Sequence, residues 1–323
     1  MGDIINSAFI LEYIKLQYPN ATLDWFCEEA FAPILEDHPF LDTIHTINLK
    51  KIKKQKSFSL LISLVKKLKA LVPYDIVIDL QGLVKSALIS RILGKNRFGF
   101  DKKSIREPFA SKFYNHRCSI SYAENSIWRT ATLINFALNM NISKKMITNK
   151  NITLAIGDRK ESIDPFVKKP NIVFVIGSSQ AYKNYPIEKI NKTLELFPYR
   201  VLLIWGSIAE YKDAKQLAKS SKNAIVAPKL TLQELKQLIS NCELVIGNDT
   251  GPTHLAWAFN RPSITLFGAT PAQKMIWETP INIALESKSN VNPLKINKQD
   301  FSIAEIDPNL IYKTGEFLLN AQN

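Results

Sequence analysis

Residues 243–270, ELVIGNDTGPTHLAWAFNRPSITLFGAT, constrain the fold more than any other stretch of the chain. Leu244, Val245 and Ile246 form an apolar run too short for a helix, and the run stops at a Gly-Asn-Asp turn, the pattern of a buried parallel strand. A helix follows directly. Thr250 or Gly251 is placed to cap it, Pro252 suits a first turn where a missing amide costs nothing, and Leu255, Ala256, Ala258 and Phe259 supply its buried face. Pro262 ends it, and residues 263–267 form a second strand before the glycine turn at Gly268. At the turn, the helix N-terminus offers amide donors and partial positive charge, and Asp249, Thr250, Gly251, Thr253 and His254 add hydroxyls, an imidazole and close backbone approach. That chemistry suits a phosphorylated ligand; a carboxylate ligand or a plain helix cap shares the same features.

The rest of the chain repeats the alternation. A helix is expected over residues 4–17, strands over 21–26 and 44–49, a basic amphipathic stretch over 53–72, and a buried strand over 74–80 (YDIVIDL) that leads to the turn Gln81-Gly82-Leu83-Val84-Lys85-Ser86. A helix to about 93, a strand at 97–100, a basic loop at 104–116 and a long helix at 125–139 complete the first half. Residues 158–170 are charged, hold two prolines and lack apolar periodicity, which places a linker there. Beyond it, strands at 172–176, 201–205 and 224–227 alternate with helices at 188–196, 209–220 and 232–240. The expected architecture is two doubly wound α/β domains facing each other, spanning 1–160 and 161–300, with a helical tail at 301–323 and the ligand at the strand C-terminal ends. A doubly wound half normally opens on its central strand, whereas this chain opens on the turn that would follow one; Met1 is therefore expected to be internal, about ten residues into the natural chain.

A length of 323 residues supports about two such domains, and 46% hydrophobic with 22% charged residues is the composition of a soluble globular protein. No apolar stretch approaches the roughly 20 residues of a membrane span, and the N-terminus carries no secretion signal, so the expected location is the cytoplasm. Three scattered cysteines, Cys27, Cys118 and Cys242, give neither a disulfide framework nor zinc spacing. The net charge of +13 favours anionic partners. Eight lysines and no acid lie between Lys50 and Lys69, and seven basic residues face only Asp101 and Glu107 between Lys95 and Arg117.

Other strand-end turns carry candidate chemistry. Ser178 and Ser179 with Lys183 combine hydroxyl donors with a point charge, which suits a diphosphate leaving group, and Glu210 after Trp205-Gly206-Ser207 could accept from ribose hydroxyls. Asp3 stands at the start of the first helix, where the commoner role for Asp is a cap, and Asp79 lies inside a strand. The chain has no Asp-x-Asp motif, metal-ligand cluster, Walker A loop or Gly-x-Gly-x-x-Gly fingerprint, which argues against a metal-dependent transferase, a P-loop enzyme and a typical dehydrogenase.

Met1-Gly2-Asp3-Ile4, the Asp79-Leu80-Gln81-Gly82-Leu83-Val84-Lys85-Ser86 turn, Arg106-Glu107-Pro108 through Phe113-Tyr114, Lys183 before Tyr185-Pro186, and Asp249-Thr250-Gly251 with His254 resemble, in order and over nearly the whole chain, the lipopolysaccharide heptosyltransferases of glycosyltransferase family 9. The Asp-Thr-Gly and His element is common to the family; the Gln-Gly-Leu-Val-Lys-Ser and Arg-Glu-Pro elements resemble its type I branch. The resemblance implies a GT-B fold and metal-independent, inverting transfer of L-glycero-D-manno-heptose from ADP-heptose to the Kdo region of Kdo-lipid A, with no cofactor. By position, it makes Asp3 the general base, sets Ser178, Ser179, Lys183, Thr250 and Gly251 around the diphosphate with His254 beside them, and assigns Glu210 to the ribose and Asp249 to the sugar. The family usually carries Thr-Thr where this chain has Ser178-Ser179, a change that keeps the hydroxyls. Lys50, Lys51, Lys53, Lys54, Lys85 and Arg106 would meet an anionic acceptor at the cytoplasmic face of the inner membrane, where a monomer in peripheral contact with the lipid is expected. A heptosyltransferase II-like or other family 9 transferase and a GT-B-like nucleotide-sugar epimerase stand as alternatives. A nucleic-acid partner is not expected, because aromatic residues do not interleave with the lysines.

Overall fold

The structure, a computed structural model, describes residues 1–71, 73–157 and 172–321. The linker expected at 158–170 and the domain boundary drawn at 160 lie outside these residues. The chain divides into two compact units, Ser7–Lys150 and a second that joins Met1–Asn6 to Asn151–Asn323.

The unit Ser7–Lys150 follows α1 (Gly2–Ala8), inside which the division falls, with α2 (Ile10–Gln17), β1 (Asp24–Glu28), β2 (Thr43–Ile47), α3 (Leu49–Gln55), α4 (Phe58–Lys69), β3 (Val77–Ile78), α5 (Val84–Leu93), β4 (Arg97–Phe100), β5 (His116–Cys118), α6 (Ser126–Leu138) and α7 (Lys144–Thr148). Its parallel strands form two sheets, β1-β2 and β3-β4-β5, so β1 and β3 each carry ladder bonds on one side only among the described residues. This changes the strand expected over 74–80. Only Val77 and Ile78 are laddered, and both are half-buried, because β3 has a single strand neighbour. The helix expected at 4–17 is broken at Phe9 into α1 and α2, and the basic stretch at 53–72 is broken at Lys56, whose left-handed φ of 47° ends α3 before Ser57 caps α4. The long helix at 125–139 stands as expected, capped by the Asn125 side chain and closed by Asn139 in the left-handed region. Phe98, Phe100, Tyr114 and Leu133 are among the residues of this unit's core.

The second unit continues with β6 (Ile172–Val175), α8 (Ile187–Leu196), β7 (Val201–Ile204), α9 (Ile208–Ser220), β8 (Ala224–Val226), α10 (Leu232–Asn241), β9 (Leu244–Asn248), α11 (Gly251–Ala258), β10 (Ser263–Phe267), α12 (Ala272–Met275), β11 (Asn282–Glu286) and α13 (Pro308–Asn320). Its six strands are all parallel in the order β11-β10-β9-β6-β7-β8. β6, β7, β9 and β10 are buried along their whole length, which is why they appear in the sequence as continuous apolar runs. The chain runs outward from β6 through β7 to β8, then returns to β6's other side with β9. The strand order therefore reverses between β6 and β9, and a ligand crevice belongs at the C-terminal ends of those two strands. α11 is shorter than expected: it ends at Ala258, and Asn260 in the left-handed region (φ 52°) turns the chain before Pro262 is reached.

The C-terminal helix α13 lies against α8, β9 and β10, and Gly315 makes the approach possible. A Cβ there would lie 2.7 Å from Phe197 Cζ, inside the apolar cluster that also holds Leu244 and Ile311. Gly315→Val is therefore expected to cost about 1–3 kcal/mol through overpacking and to lower the Tm in a thermal melt, whereas an exposed substitution such as Lys313→Gln on the same helix leaves it in place.

Candidate functional site

The turn after β9 gathers the densest polar chemistry of the second unit. Asp249 is buried, and its Oδ2 accepts from Lys183 Nζ at 2.5 Å and from Thr270 Oγ1 at 3.3 Å, while Oδ1 lies 3.3 Å from His254 Nε2. Three elements of the chain meet at this carboxylate: the short turn after β6, the first turn of α11 and the turn after β10. Burial alone would raise the Asp249 pKa, but the His254 hydrogen bond and the Lys183 charge outweigh it and hold the carboxyl down at about 2. Around it, Tyr185 N donates to Asn248 Oδ1 at 2.9 Å, and Thr253 Oγ1 donates to the carbonyls of Asn248 and Thr250. Thr250 Oγ1 turns back to Asn248 O at 3.3 Å and makes no side-chain cap, so the turn is fixed from within while the first turn of α11 keeps its N-terminal polarity.

Asp3 belongs to this unit although it is 246 residues before Asp249 in the chain. Met1 lies over Gly251, where a Cβ would fall 1.7 Å from Met1 Cε, and Gly2 lies on His254, where a Cβ would fall 2.9 Å from Cδ2. Asn6 Nδ2 donates to Met275 O at 3.3 Å. The segment that carries Asp3 thus runs against the N-terminus of α11, with the Asp3 side chain exposed in the first turn of α1. Its tie to the second unit has no periodic signature in the sequence.

Ser178, Ser179 and Glu210 occupy the neighbouring strand ends. Ser178 Oγ donates to Gln180 O and accepts from Gln180 N, which fixes the turn, and Ser179 is exposed. Glu210 closes a capping box at the start of α9: Oε2 accepts from Gly206 N and Ser207 N, and Glu210 N donates to Ser207 Oγ. The same carboxylate covers Gly177, where a Cβ would lie 2.4 Å from its Cδ, so Gly177 is required for that approach.

In the unit Ser7–Lys150, Asp79 is buried. Its Oδ2 accepts from Tyr114 OH at 2.7 Å and its Oδ1 from the amides of Gln81 and Gly82, the latter at φ 67°. Burial raises its pKa despite these bonds, and the group serves as the anchor of the Gln81-Gly82 turn. Glu107 Oε2 accepts from Val84 N at 2.8 Å and so ties the loop of exposed Arg106 to the first turn of α5, which carries exposed Lys85. Lys50, Lys51, Lys53 and Lys54 are all exposed on α3. Thr270 was given no role by the sequence, and Glu107 and Tyr114 were legible only as members of the Arg106-Glu107-Pro108 through Phe113-Tyr114 element, since each acts through a partner distant in sequence.

The family description "Glycosyltransferase family 9 (heptosyltransferase)" matches residues 61–302. Lipopolysaccharide heptosyltransferase 1 of Campylobacter coli is 39% identical over 97% of this chain and 94% of its own length. Its namesake in Escherichia coli K12 is 31% identical over 84% of this chain and 85% of its own. Among solved structures, E. coli heptosyltransferase WaaC with ADP superposes with a TM-score of 0.80 at 24% identity, covering 98% of this chain and 97% of that one, which shows a shared GT-B fold.

The low Asp249 pKa makes stability depend on pH in a defined direction. Asp249 is deprotonated more readily in the folded chain than in the unfolded one, so its contribution is complete above about pH 5 and disappears as pH falls toward about 2. On the order of 2 kcal/mol is expected to be lost over that window in urea titrations, and Asp249→Asn is expected to flatten this part of the profile.

Proposed function

The chain belongs to glycosyltransferase family 9, the heptosyltransferases, and from that premise we propose how its residues carry out the transfer. It is a glycosyltransferase, and its activity is heptose transfer in the synthesis of the lipopolysaccharide inner core. In our reading the donor is ADP-heptose and the acceptor the Kdo region of Kdo-lipid A, used by a monomer at the cytoplasmic face of the inner membrane. The observation that carries the reading is the buried Lys183–Asp249–His254 network beside the N-terminus of α11, with the Asp3 segment lying against it.

The proposed step is a single displacement. An acceptor hydroxyl oxygen attacks the anomeric carbon as its bond to the diphosphate breaks, the hydroxyl proton passes to Asp3, and the configuration inverts. The leaving diphosphate gains charge, which the amides at Thr250 and Gly251, the hydroxyls of Ser178 and Ser179, and Lys183 stabilise. Asp249, which holds Lys183 and His254 in place, is assigned to the sugar. The free edge of Glu210 that covers Gly177 accepts from the ribose, and Lys85 and Arg106, joined through Glu107, read anionic groups of the acceptor. No metal ion takes part in the proposed step.

Asp3→Ala is expected to lower transfer from ADP-heptose by about 10²–10⁴-fold while calorimetric ADP binding stays as in the parent chain. Lys183→Ala is expected to weaken both, and a chelator to change neither. Undiminished transfer by Asp3→Ala would remove the base assignment, and a rate abolished by chelation would remove the metal-independent step.

A further inference from the structure

α4 has an outer face to which the proposed step assigns no role. α4 is twelve residues long, about 18 Å, and its first two turns are apolar over a broad arc interrupted by Ser59 and Ser63. Leu60, Leu64 and Leu68 form the inward stripe, with Leu68 buried, and the helix contacts α5 and α3. At the spacing of a second stripe stand Phe58, Leu61, Ile62 and Val65, of which Phe58 is 74% exposed, Leu61 41% and Ile62 42%. Lys69 continues this outer stripe by one more turn. Lys66 flanks it, and Lys51, Lys53, Lys54 and Lys56 are exposed on or next to α3. Residues 48–74 contain no acid; Glu28, which accepts from Lys50 N, and Glu29, which accepts from Asn48 Nδ2, meet only the start of α3.

We propose that the outer stripe of α4, framed by the α3 and α4 lysines, is an interfacial anchor that lies flat on an anionic bilayer. The charge pattern and the apolar pattern select this partner together. Three adjoining exposed large apolar side chains are disfavoured in water, and long lysine stems at the ends of the stripe keep their ammonium groups at headgroup level while the stripe enters the acyl boundary. A helix of this length lies in the interface and does not span it; among the described residues no helix is long and apolar enough to cross a membrane. Nucleic acid would match the lysines but leave the aliphatic stripe in water, since Phe58 is the one aromatic side chain on α4. The inference rests on the reading that the acceptor is borne by a lipid, and gives that reading a physical consequence: the anchor brings the enzyme to the surface where the acceptor resides.

The test is flotation of the full chain with vesicles that contain no acceptor, made either of phosphatidylglycerol and phosphatidylethanolamine or of phosphatidylcholine alone. The parent chain is expected to float with the anionic vesicles and to remain behind with the neutral ones. Phe58→Ser/Leu61→Ser/Ile62→Ser is expected to lose about tenfold or more of the anionic-vesicle affinity while transferring heptose to a deacylated, water-soluble acceptor at the parent rate. Phe58→Ser alone, at the most exposed of the three positions, gives a smaller loss in the same direction and serves if the triple variant has an altered melting curve. No flotation with anionic vesicles, equal flotation with both kinds, or a triple variant that floats like the parent would overturn the anchor, the first also being the result if the stripe is a protein-docking face. Absence of transfer to the soluble acceptor by the parent chain would instead count against the transferase step, and flotation would still decide the anchor.

Discussion

A carboxylate that is 2% exposed cannot remain charged unless other groups compensate for the water it has lost, and Asp249 is compensated by Lys183, His254 and Thr270. This requirement organises the second unit's strand ends. Lys183 must come from the turn after β6, His254 from one turn into α11 and Thr270 from the turn after β10, so the switch point between β6 and β9 is locked by a charge that only the folded sheet can satisfy. What remains is a cationic group and a helix N-terminus held at fixed positions, the preorganisation that the proposed diphosphate departure calls for.

The first six residues belong to the same arrangement. Met1 packs on Gly251 and Gly2 on His254, and these approaches carry Asp3 to the N-terminal end of α11. In the proposed step the base and the leaving-group site come from segments far apart in the chain, so substitutions at Asp3 are expected to act on the hydroxyl and those at Lys183 on the diphosphate. In the other unit, Asp79 and Glu107 perform the equivalent positioning. One holds the Gln81-Gly82 turn from inside, and the other ties the Arg106 loop to the Lys85 turn, so that basic side chains project from backbone that is itself restrained.

The inner strands of the second unit's sheet were legible in the sequence because they are covered on both faces, and IVFV, VLLI and LVIGN need no alternation to be recognised. Asp249, Lys183 and His254 were legible for a related reason: they sit at fixed offsets from strand ends. The first unit was harder. YDIVIDL has the same apolar character, yet only Val77 and Ile78 pair, since a ladder needs a neighbour and local pattern does not report one. β11 escaped notice because it is an edge strand with a mixed, half-buried run, and the break at Lys56 because a lysine in the left-handed region carries no residue-type signal. Tyr114 to Asp79, Glu107 to Val84 and Met1 to Gly251 are tertiary facts that no window of sequence contains.

The central claim is that this site transfers heptose in one inverting displacement. The most direct measurement is to incubate the purified chain with ADP-heptose of known anomeric configuration and Kdo-lipid A, then determine the mass of the lipid product and the configuration of its new linkage by NMR. The account predicts a gain of one heptose per acceptor in a linkage of opposite anomeric configuration to the donor. A retained configuration, or bound nucleotide with no gain in product mass, would contradict it.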